Sequence, residues 1–282
     1  MKKVLVTGGA GFIGSNLIQE LLKNNNKVVS IDNYSTGDKN NEVSGVKYIN
    51  NDITNINSLD TDFDLCFHLA AQSRVQPSFD NPEESFRVNV LGTKKVMEFA
   101  KKKNIKVVYA GSSSKHHEPS DSPYAMYKYM GEQVCKLYKK SFNVNVQIAR
   151  FYNVYGPGES IDDKFGNVIG IWRAKVLKGQ PLPIVGDGKQ KRDFVHVHDI
   201  VDGLIKIGLT EINHHDAWEL GTGINYSVNE LFNYFNDKFN VTSIRIPDQP
   251  GNYRQTLREN DDSLKLLGWK PMDRLKDHIN NF

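Results

Sequence analysis

Two cysteines in 282 residues, Cys66 and Cys135, are too few and too far apart for a disulfide framework or a thiolate metal site, and no metal is expected. No run of 18 apolar residues occurs, and no charged-then-apolar leader opens the chain, so neither a membrane span nor secretion is expected. Charge of one sign is not in excess either. Thirty-six Lys and Arg against 33 Asp and Glu leave +3, too mild a balance to point to nucleic acid as a partner. The lysines of KKKN (101–104) read as the solvated end of a helix. There is no internal repeat, and the Asn-rich stretches KNNNK and GDKNNE are turn material. What remains is a soluble protein suited to the reducing cytoplasm, long enough to bury a substantial core.

What is present is an alternation of short apolar runs with helical patterns. KVLVTGG, KVVSIDN, VKYINNDI, FDLCFHLAA, KVVYAGSS and VNVQIARF read as strands. FIGSNLIQELLKNN, PEESFRVNVLGTKKVMEFAKKK and the segment from about 123 to 142 carry apolar residues at helical spacing. Strand and helix taking turns predict an α/β fold, a doubly wound parallel sheet of Rossmann type. From about Tyr152 the rhythm breaks, as Gly, Pro and Asp become frequent. The expected division is therefore a nucleotide-binding domain over 1–152 and a smaller interleaved substrate lobe over 153–282. RDFVHVHDIVDGLIKIG, about 192–210, is expected to return to the main layer.

VTGGAGFIG sets Gly8, Gly11 and Gly14 between the first strand and the first helix, which Phe12 and Ile13 open. Such glycines permit a tight turn and let backbone approach a pyrophosphate, which the helix N-terminus attracts. A glycine pattern alone is weak, but its placement between strand and helix is the context a dinucleotide site requires. Asp32 ends the second strand, with Asn33 beside it, where an acid accepts hydrogen bonds from the adenosine ribose. It would repel a 2′-phosphate, favouring NAD over NADP. Asp52, followed by Ile53, is a candidate for the adenine amino group, with a turn aspartate as the alternative. Leu69, Ala70 and Ala71 end the fourth strand in mostly small residues that let backbone lie near a cofactor. His68 reads as a packed strand residue.

The stretch AGSSSKHHEPSDSPYAMYK (110–128) holds three serines, then Tyr124 four residues ahead of Lys128. Residues i and i+4 share a helix face, so both side chains can meet one pocket. Tyr-x-x-x-Lys recurs by chance, and the spacing alone does not make it catalytic.

Taken with the glycine turn, HLAAQ, RVNVLGT, RFYNVYGPG, RDFVHVHD and LGWKP, in that order along the chain, this set resembles the extended short-chain dehydrogenase/reductases. Among them it is similar to the NAD-dependent nucleotide-sugar epimerases of the UDP-glucose 4-epimerase type, from about Lys3 to Pro271. The resemblance implies a Ser112–Tyr124–Lys128 catalytic set, with Ser113 the near alternative to Ser112. Tyr124 would be the base, Lys128 would hold the nicotinamide ribose, and Ser112 would relay the proton. It further implies Asn89 near the cofactor and the lysine, and Phe151 and Tyr152 beside the nicotinamide. Asn153 and Arg192 would meet the substrate diphosphate, and Asn167 and Val168 the nucleotide. Gln249, Asn252 and Thr256 fall where the family contacts phosphate, ribose and the sugar C2 side. Two long helices of the family pair across a two-fold axis, which implies a homodimer.

The chain departs from that pattern in places. KHHEP (115–119) stands where the family has VYG and a longer loop, leaving Lys115, His116 and His117 either solvated or part of the sugar pocket. Gln249 replaces an arginine and Asn252 an acid, and the helices after LGWKP are short. Family dehydratases carry an Asp-Glu pair after the catalytic threonine, family decarboxylases a glutamate, and 3,5-epimerases a cysteine base. Ser113 and Ser114 stand there instead. The expectation is NAD-dependent 4-epimerisation of a UDP-hexose or UDP-N-acetylhexosamine. A net nucleotide-sugar reductase or dehydrogenase, and a non-catalytic binder, are the alternatives.

Overall fold

The computed structural model describes residues 1–162 and 166–282. In strand β1 (Lys3–Thr7), Val4 and Val6 face one hydrophobic cluster and Leu5 the other. A strand apolar on both sides needs cover on both faces, the condition of a parallel sheet inside an α/β protein. β2 (Lys27–Asp32), β3 (Lys47–Asn50), β4 (Leu65–His68), β5 (Lys106–Ser112) and β6 (Val146–Phe151) complete six of its strands. β10 (Trp218–Leu220) adds a seventh, giving the order β10-β6-β5-β4-β1-β2-β3. All neighbouring pairs run parallel.

Helices Phe12–Lys23 and Val197–Leu209 cover one face, burying Leu17, Ile18, Leu21, Ile200, Leu204 and Ile207 with Phe67 and Val108. Helices Thr93–Lys103 and Pro123–Phe142 cover the other, burying Val96, Met97, Phe99 and Cys135 with Cys66, Val107 and Ile148. At about 25 cal/mol per Å² of buried apolar area, these two layers are the main stabilising term. The strand order reverses between β1 and β4, the switch point at which such sheets open a crevice.

A third cluster, around Trp172, Phe235, Leu231 and Ile279, holds the smaller lobe. There β7 (Asn153–Tyr155), β9 (Lys191–His196) and β11 (Asn225–Ser227) form one sheet, and β8 (Leu182–Val185) with β12 (Ser243–Ile246) another. The segment 192–210 is thus divided. Its helix packs on the main sheet, while its strand pairs with β7 and β11. The residues that rejoin the main sheet are 218–220, too short a run to show a period.

The helix expected across 83–103 is interrupted. Pro82–Phe86 is α-helical, Arg87–Gly92 widens to a π-helix, and Thr93–Lys103 resumes. Gly92 makes the close approach possible, since a Cβ there would sit 2.7 Å from Ile53. Among the described residues no helix is long and apolar enough to cross a membrane, and no group of His, Cys, Asp or Glu is arranged to hold a metal ion.

Candidate active site

A cleft of about 1630 Å³ opens at the switch point and runs from the glycine turn to the smaller lobe. Single small-molecule sites span roughly 300–1,000 Å³, so two ligands fit end to end. The cofactor end is backbone-lined by necessity. Gly8 has φ +74°, and a Cβ on it would lie 2.8 Å from the amide nitrogen of Ala70; one on Gly14 would lie 2.1 Å from the Gly8 carbonyl oxygen. No side chain caps helix Phe12–Lys23, which leaves its first-turn amides for an anion. Gly11, Phe12, Ile13, Asn33, Ile53, Leu69, Ala70 and Ala71 share this wall. Asp32 lines it too, one carboxylate oxygen accepting from the Ala10 amide at 2.9 Å and the other from the Tyr34 amide at 2.8 Å. These features fit a dinucleotide with an unphosphorylated ribose.

Two residues expected near the cofactor stand off that wall. Asp52 caps the turn Ile53–Ser58, and both its oxygens accept from the Arg87 guanidinium at 2.8 Å. Arg87 thereby pulls the Asp52 carboxyl far below the usual range. Asn33, donating to Asp52 at 3.0 Å, and Asn51, accepting from its amide at 2.8 Å, connect it to the cleft. Asn89, in the π-helix, is buried and pairs with the backbone of Gln72: it accepts from the amide and donates to the carbonyl, each at 3.0 Å. It shapes the loop after β4 from behind. His68 is buried between Thr7 and Thr93, and burial holds its imidazole down to about 3, a neutral packed residue.

β5 delivers Ser112 to the floor of the cleft. Across from it Ser122 caps helix Pro123–Phe142 by accepting from the Ala125 amide at 3.1 Å, with Pro123 preset for the first helical position. Tyr124 therefore lies in the first turn, its own amide donating to Ser78 at 3.0 Å. Lys128 follows one turn later. The Tyr124 hydroxyl donates to Ser112 Oγ at 3.4 Å, and Ser112 Oγ also accepts from Ser114 Oγ at 2.9 Å. Lys128 donates to the Ala110 carbonyl and lies 4.6 Å from the centre of the Tyr109 ring.

Burial lowers the Lys128 ammonium to about 8, with Glu132 one turn further on opposing the drop. Burial also pushes the Tyr124 phenol up, while the Ser112 hydrogen bond and the charge of Arg74 pull it down. Arg74 was not among the residues singled out from the sequence. A basic residue two positions beyond HLAAQ's end was its only signal.

On the substrate side, Asn153 donates to Thr256 Oγ1 at 3.1 Å, and Thr256, buried on the cleft wall, also accepts from the Asp193 amide at 3.2 Å. Asn167 caps helix Val168–Leu177 and donates to Val154 and to Glu159. Val168 is the first residue of that helix and does not line the cleft. Arg192 faces the cleft with one guanidinium nitrogen on Asn252 Oδ1, and burial lowers it to about 10. Gln249 and Asn252 lie on the strap 248–256, which Gln76 fastens by donating to the Pro250 carbonyl at 2.9 Å. The same strap brings in Tyr253, which the sequence reading missed, and Ser113 lines the opposite wall.

KHHEP turns inward. His116 Nε2 meets Glu219 on β10 at 2.8 Å, His117 stacks on Tyr253, and Lys115 lies 5.5 Å over the Tyr129 ring. Glu219 also accepts from Tyr152 and Arg150, and Arg150 binds Glu132 and Asp216. Tyr152 lines the cleft while its hydroxyl belongs to this buried lattice.

Residues 4–221 match the family model described as the NAD dependent epimerase/dehydratase family. The chain belongs to that family. It is 37% identical, over 98% of its length and 95% of the relative's, to "Putative UDP-glucose 4-epimerase" of Methanocaldococcus jannaschii. It is 29% identical, over 98% of its length and 67% of the relative's, to UDP-glucuronic acid decarboxylase 4 of Arabidopsis thaliana. Its fold superposes with a TM-score of 0.88 on UDP-glucuronic acid 4-epimerase from Bacillus cereus in complex with UDP-glucuronic acid and NAD, at 29% identity over 98% of this chain and 96% of that one. The family is NAD-dependent, and the glycine turn and Asp32 suit that cofactor.

Proposed function

We propose that the protein is an isomerase that inverts C4 of a nucleotide-activated hexose through a 4-keto sugar. The observation that carries this reading is the Tyr124–Ser112 hydrogen bond with Lys128 one turn behind it. NAD, when bound, supplies a reversible hydride acceptor. Tyr124 removes the 4-hydroxyl proton, with Ser112 holding the substrate oxygen and relaying that proton. Burial raises the Tyr124 phenol, the Ser112 hydrogen bond and the charge of Arg74 oppose that rise, and Lys128 with the positive nicotinamide of bound NAD would add to the pull toward the phenolate. The same groups return the proton after the sugar has turned over. No carboxylate or cysteine occupies positions 113 and 114, so the extra acid or base of the family's elimination, decarboxylation and 3,5-epimerisation chemistries is missing there. That separates this chain from its decarboxylase relatives.

Arg192 is suited to the diphosphate, since its fork binds phosphate oxygens in two places. Asn153, Asn167, Gln249 and Asn252 line the nucleotide side. UDP is the nucleotide favoured by the relatives, and Thr256, small and on the wall, leaves room for a 2-acetamido group. A homodimer is supported by the exposed apolar residues Leu91, Leu137 and Phe142 on the helical face. Product NMR on a panel of UDP-, GDP-, CDP- and dTDP-sugars tests the reading: C4 epimers without net NADH are expected. Stoichiometric NADH consumption would instead assign a reductase.

A further inference from the structure

We propose that Ser114 is a positioning residue whose hydroxyl turns the Ser112 proton toward Tyr124. The inference rests on the functional reading above and deepens it at the same site. In the sequence Ser114 counted only for the carboxylate it is not. In space, three groups reach Ser112 Oγ: Ser114 Oγ at 2.9 Å, the Ser114 amide at 3.2 Å and Tyr124 Oη at 3.4 Å.

A hydroxyl oxygen accepts twice and donates once, so these three contacts use Ser112 up. The amide can only donate. The two neighbouring hydroxyls must therefore take opposite parts, and either can take either, because a hydroxyl proton rotates. While Tyr124 is a phenol it donates to Ser112, and Ser112 passes its own proton on to Ser114. Once Tyr124 has lost its proton, as a base must, Ser112 donates to the phenolate and accepts a second time from behind. Ser114 Oγ is the hydroxyl placed to supply that bond. A chain of donors ending on an anion is stronger than the same chain ending on a neutral oxygen, so Ser114 favours the phenolate. The relay also needs a lone pair for the sugar hydroxyl, and the Ser114 hydroxyl can swing away to give it where the amide cannot.

Ser114 is held for this task by the segment that departs from the family. Ser112 caps the turn Ser113–His116, and the His117 amide closes it on the Ser114 carbonyl at 3.1 Å. His116 is gripped by Glu219 at 2.8 Å and Glu259 at 3.0 Å, and His117 stacks on Tyr253 with 3.9 Å between ring centres. Ser114 itself is buried on the cleft wall, and among the described residues its hydroxyl bonds to Ser112 alone. The titratable groups that face Tyr124 from the packed elements are Arg74 on the loop after β4, Lys128 on its own helix, Tyr109 on β5 and Tyr253 on the strap. None of these bonds to Ser112, so a change at Ser114 reaches Tyr124 by a route they do not share.

The experiment reads the Tyr124 phenol directly, by ultraviolet difference titration of the NAD-bound protein against the matching Tyr124→Phe form. Ser114→Ala should raise the midpoint by roughly 0.5–1 pH unit, the size of one hydrogen bond, with bound NAD and Tm unchanged. Ser114→Cys, close in volume but a weak donor, should do the same, and it answers the question if the alanine variant does not fold. Ser114→Thr keeps the hydroxyl and should restore the wild-type midpoint. In a Ser112→Ala background, Ser114→Ala should move the midpoint no further. The acid limb of kcat/KM should follow the midpoint, since it reports the free enzyme's base. An unmoved midpoint in the alanine and cysteine variants overturns the proposal. So does a full shift in the Ser112→Ala background, which would show Ser114 acting without Ser112. A wild type inactive on every sugar would sink the epimerase reading, while the titration still decides this one.

Discussion

His116 Nδ1 stands 3.0 Å from Glu259 Oε2, while the Nε2 of the same ring is held by Glu219 at 2.8 Å. A neutral imidazole has one N–H and can satisfy only one carboxylate; two require the imidazolium. Behind the ring, Arg150 is shared among Glu132, Asp216 and Glu219, and Lys136 pairs with Asp216. Burial disfavours the charged ring, but Glu219 and Glu259 outweigh burial and the repulsion of Arg150, and the pKa is raised. The neighbouring His117 is neutral, and Tyr152 stacks at 6.5 Å.

The sign follows from linkage. A raised folded-state pKa gives stability that is whole below the ordinary value near 6.5 and is lost as pH climbs through the folded value. The Tm of wild type minus that of His116→Gln should therefore shrink as pH rises from 6 to 9. A difference that stays flat across that window would show that the ring is neutral.

Tyr124→Phe removes the only hydroxyl in register with Ser112 and Lys128. Turnover should fall by roughly 10²–10⁴, with bound NAD retained and substrate affinity little changed. Near-normal turnover in steady-state kinetics would remove Tyr124 from the base role.

For Asp32→Ala the expected result has two parts. Preference for NAD over NADP should relax, because the charge that repels a 2′-phosphate is gone. Affinity for both should also drop, because the Ala10 and Tyr34 amides lose their acceptor. Native mass spectrometry of copurified dinucleotide, with titration of the stripped protein, checks both; a variant with unaltered preference would contradict the assignment.

Thr256→Tyr places a phenol where a buried hydroxyl now touches Asn153 and the Asp193 amide. The ratio of kcat/KM for UDP-N-acetylhexosamine to that for UDP-hexose should fall by about tenfold or more, as for a lost pocket volume. An unchanged ratio would mean that position 256 does not meet the C2 substituent.

Leu137→Glu sets a charge on the exposed apolar face of helix Pro123–Phe142, remote from the cleft. Light scattering at micromolar concentration should report a dimer for wild type and a monomer for the variant. A wild-type monomer would refute the assembly.

Much of the fold was legible because parallel strands buried on both faces are plain apolar runs, as β1, β2, β4, β5 and β6 are, and the edge strand β3 still showed through Tyr48 and Ile49. β10 was not, since Trp-Glu-Leu places a carboxylate at its centre and gains its reason only from Arg150 and His116 in space. The π-turn at Arg87–Gly92 hid inside an otherwise helical period. In the site, Tyr124 and Lys128 showed in the sequence as an i, i+4 pair, while Ser112 and the role proposed for the three came only from the family resemblance. Asp52 looked available because its partner, Arg87, lies 35 residues away. Tyr253 and the two histidines meet only through tertiary structure, across a loop and a strap that local sequence does not connect.

The seventh strand has a consequence for how the chain is made. Six strands, the glycine turn and the Ser-Tyr-Lys set are all encoded before residue 152, but Trp218–Leu220 must arrive later to pair with Ala149–Phe151. Until then β6 is an open edge on the nascent sheet, and Arg150 lies there with Glu132 but without Glu219 or Asp216. Open strand edges are where unfinished chains pair with the wrong neighbour. Ser112, Tyr124 and Lys128 are therefore made before the strand that closes this edge of the sheet beside them.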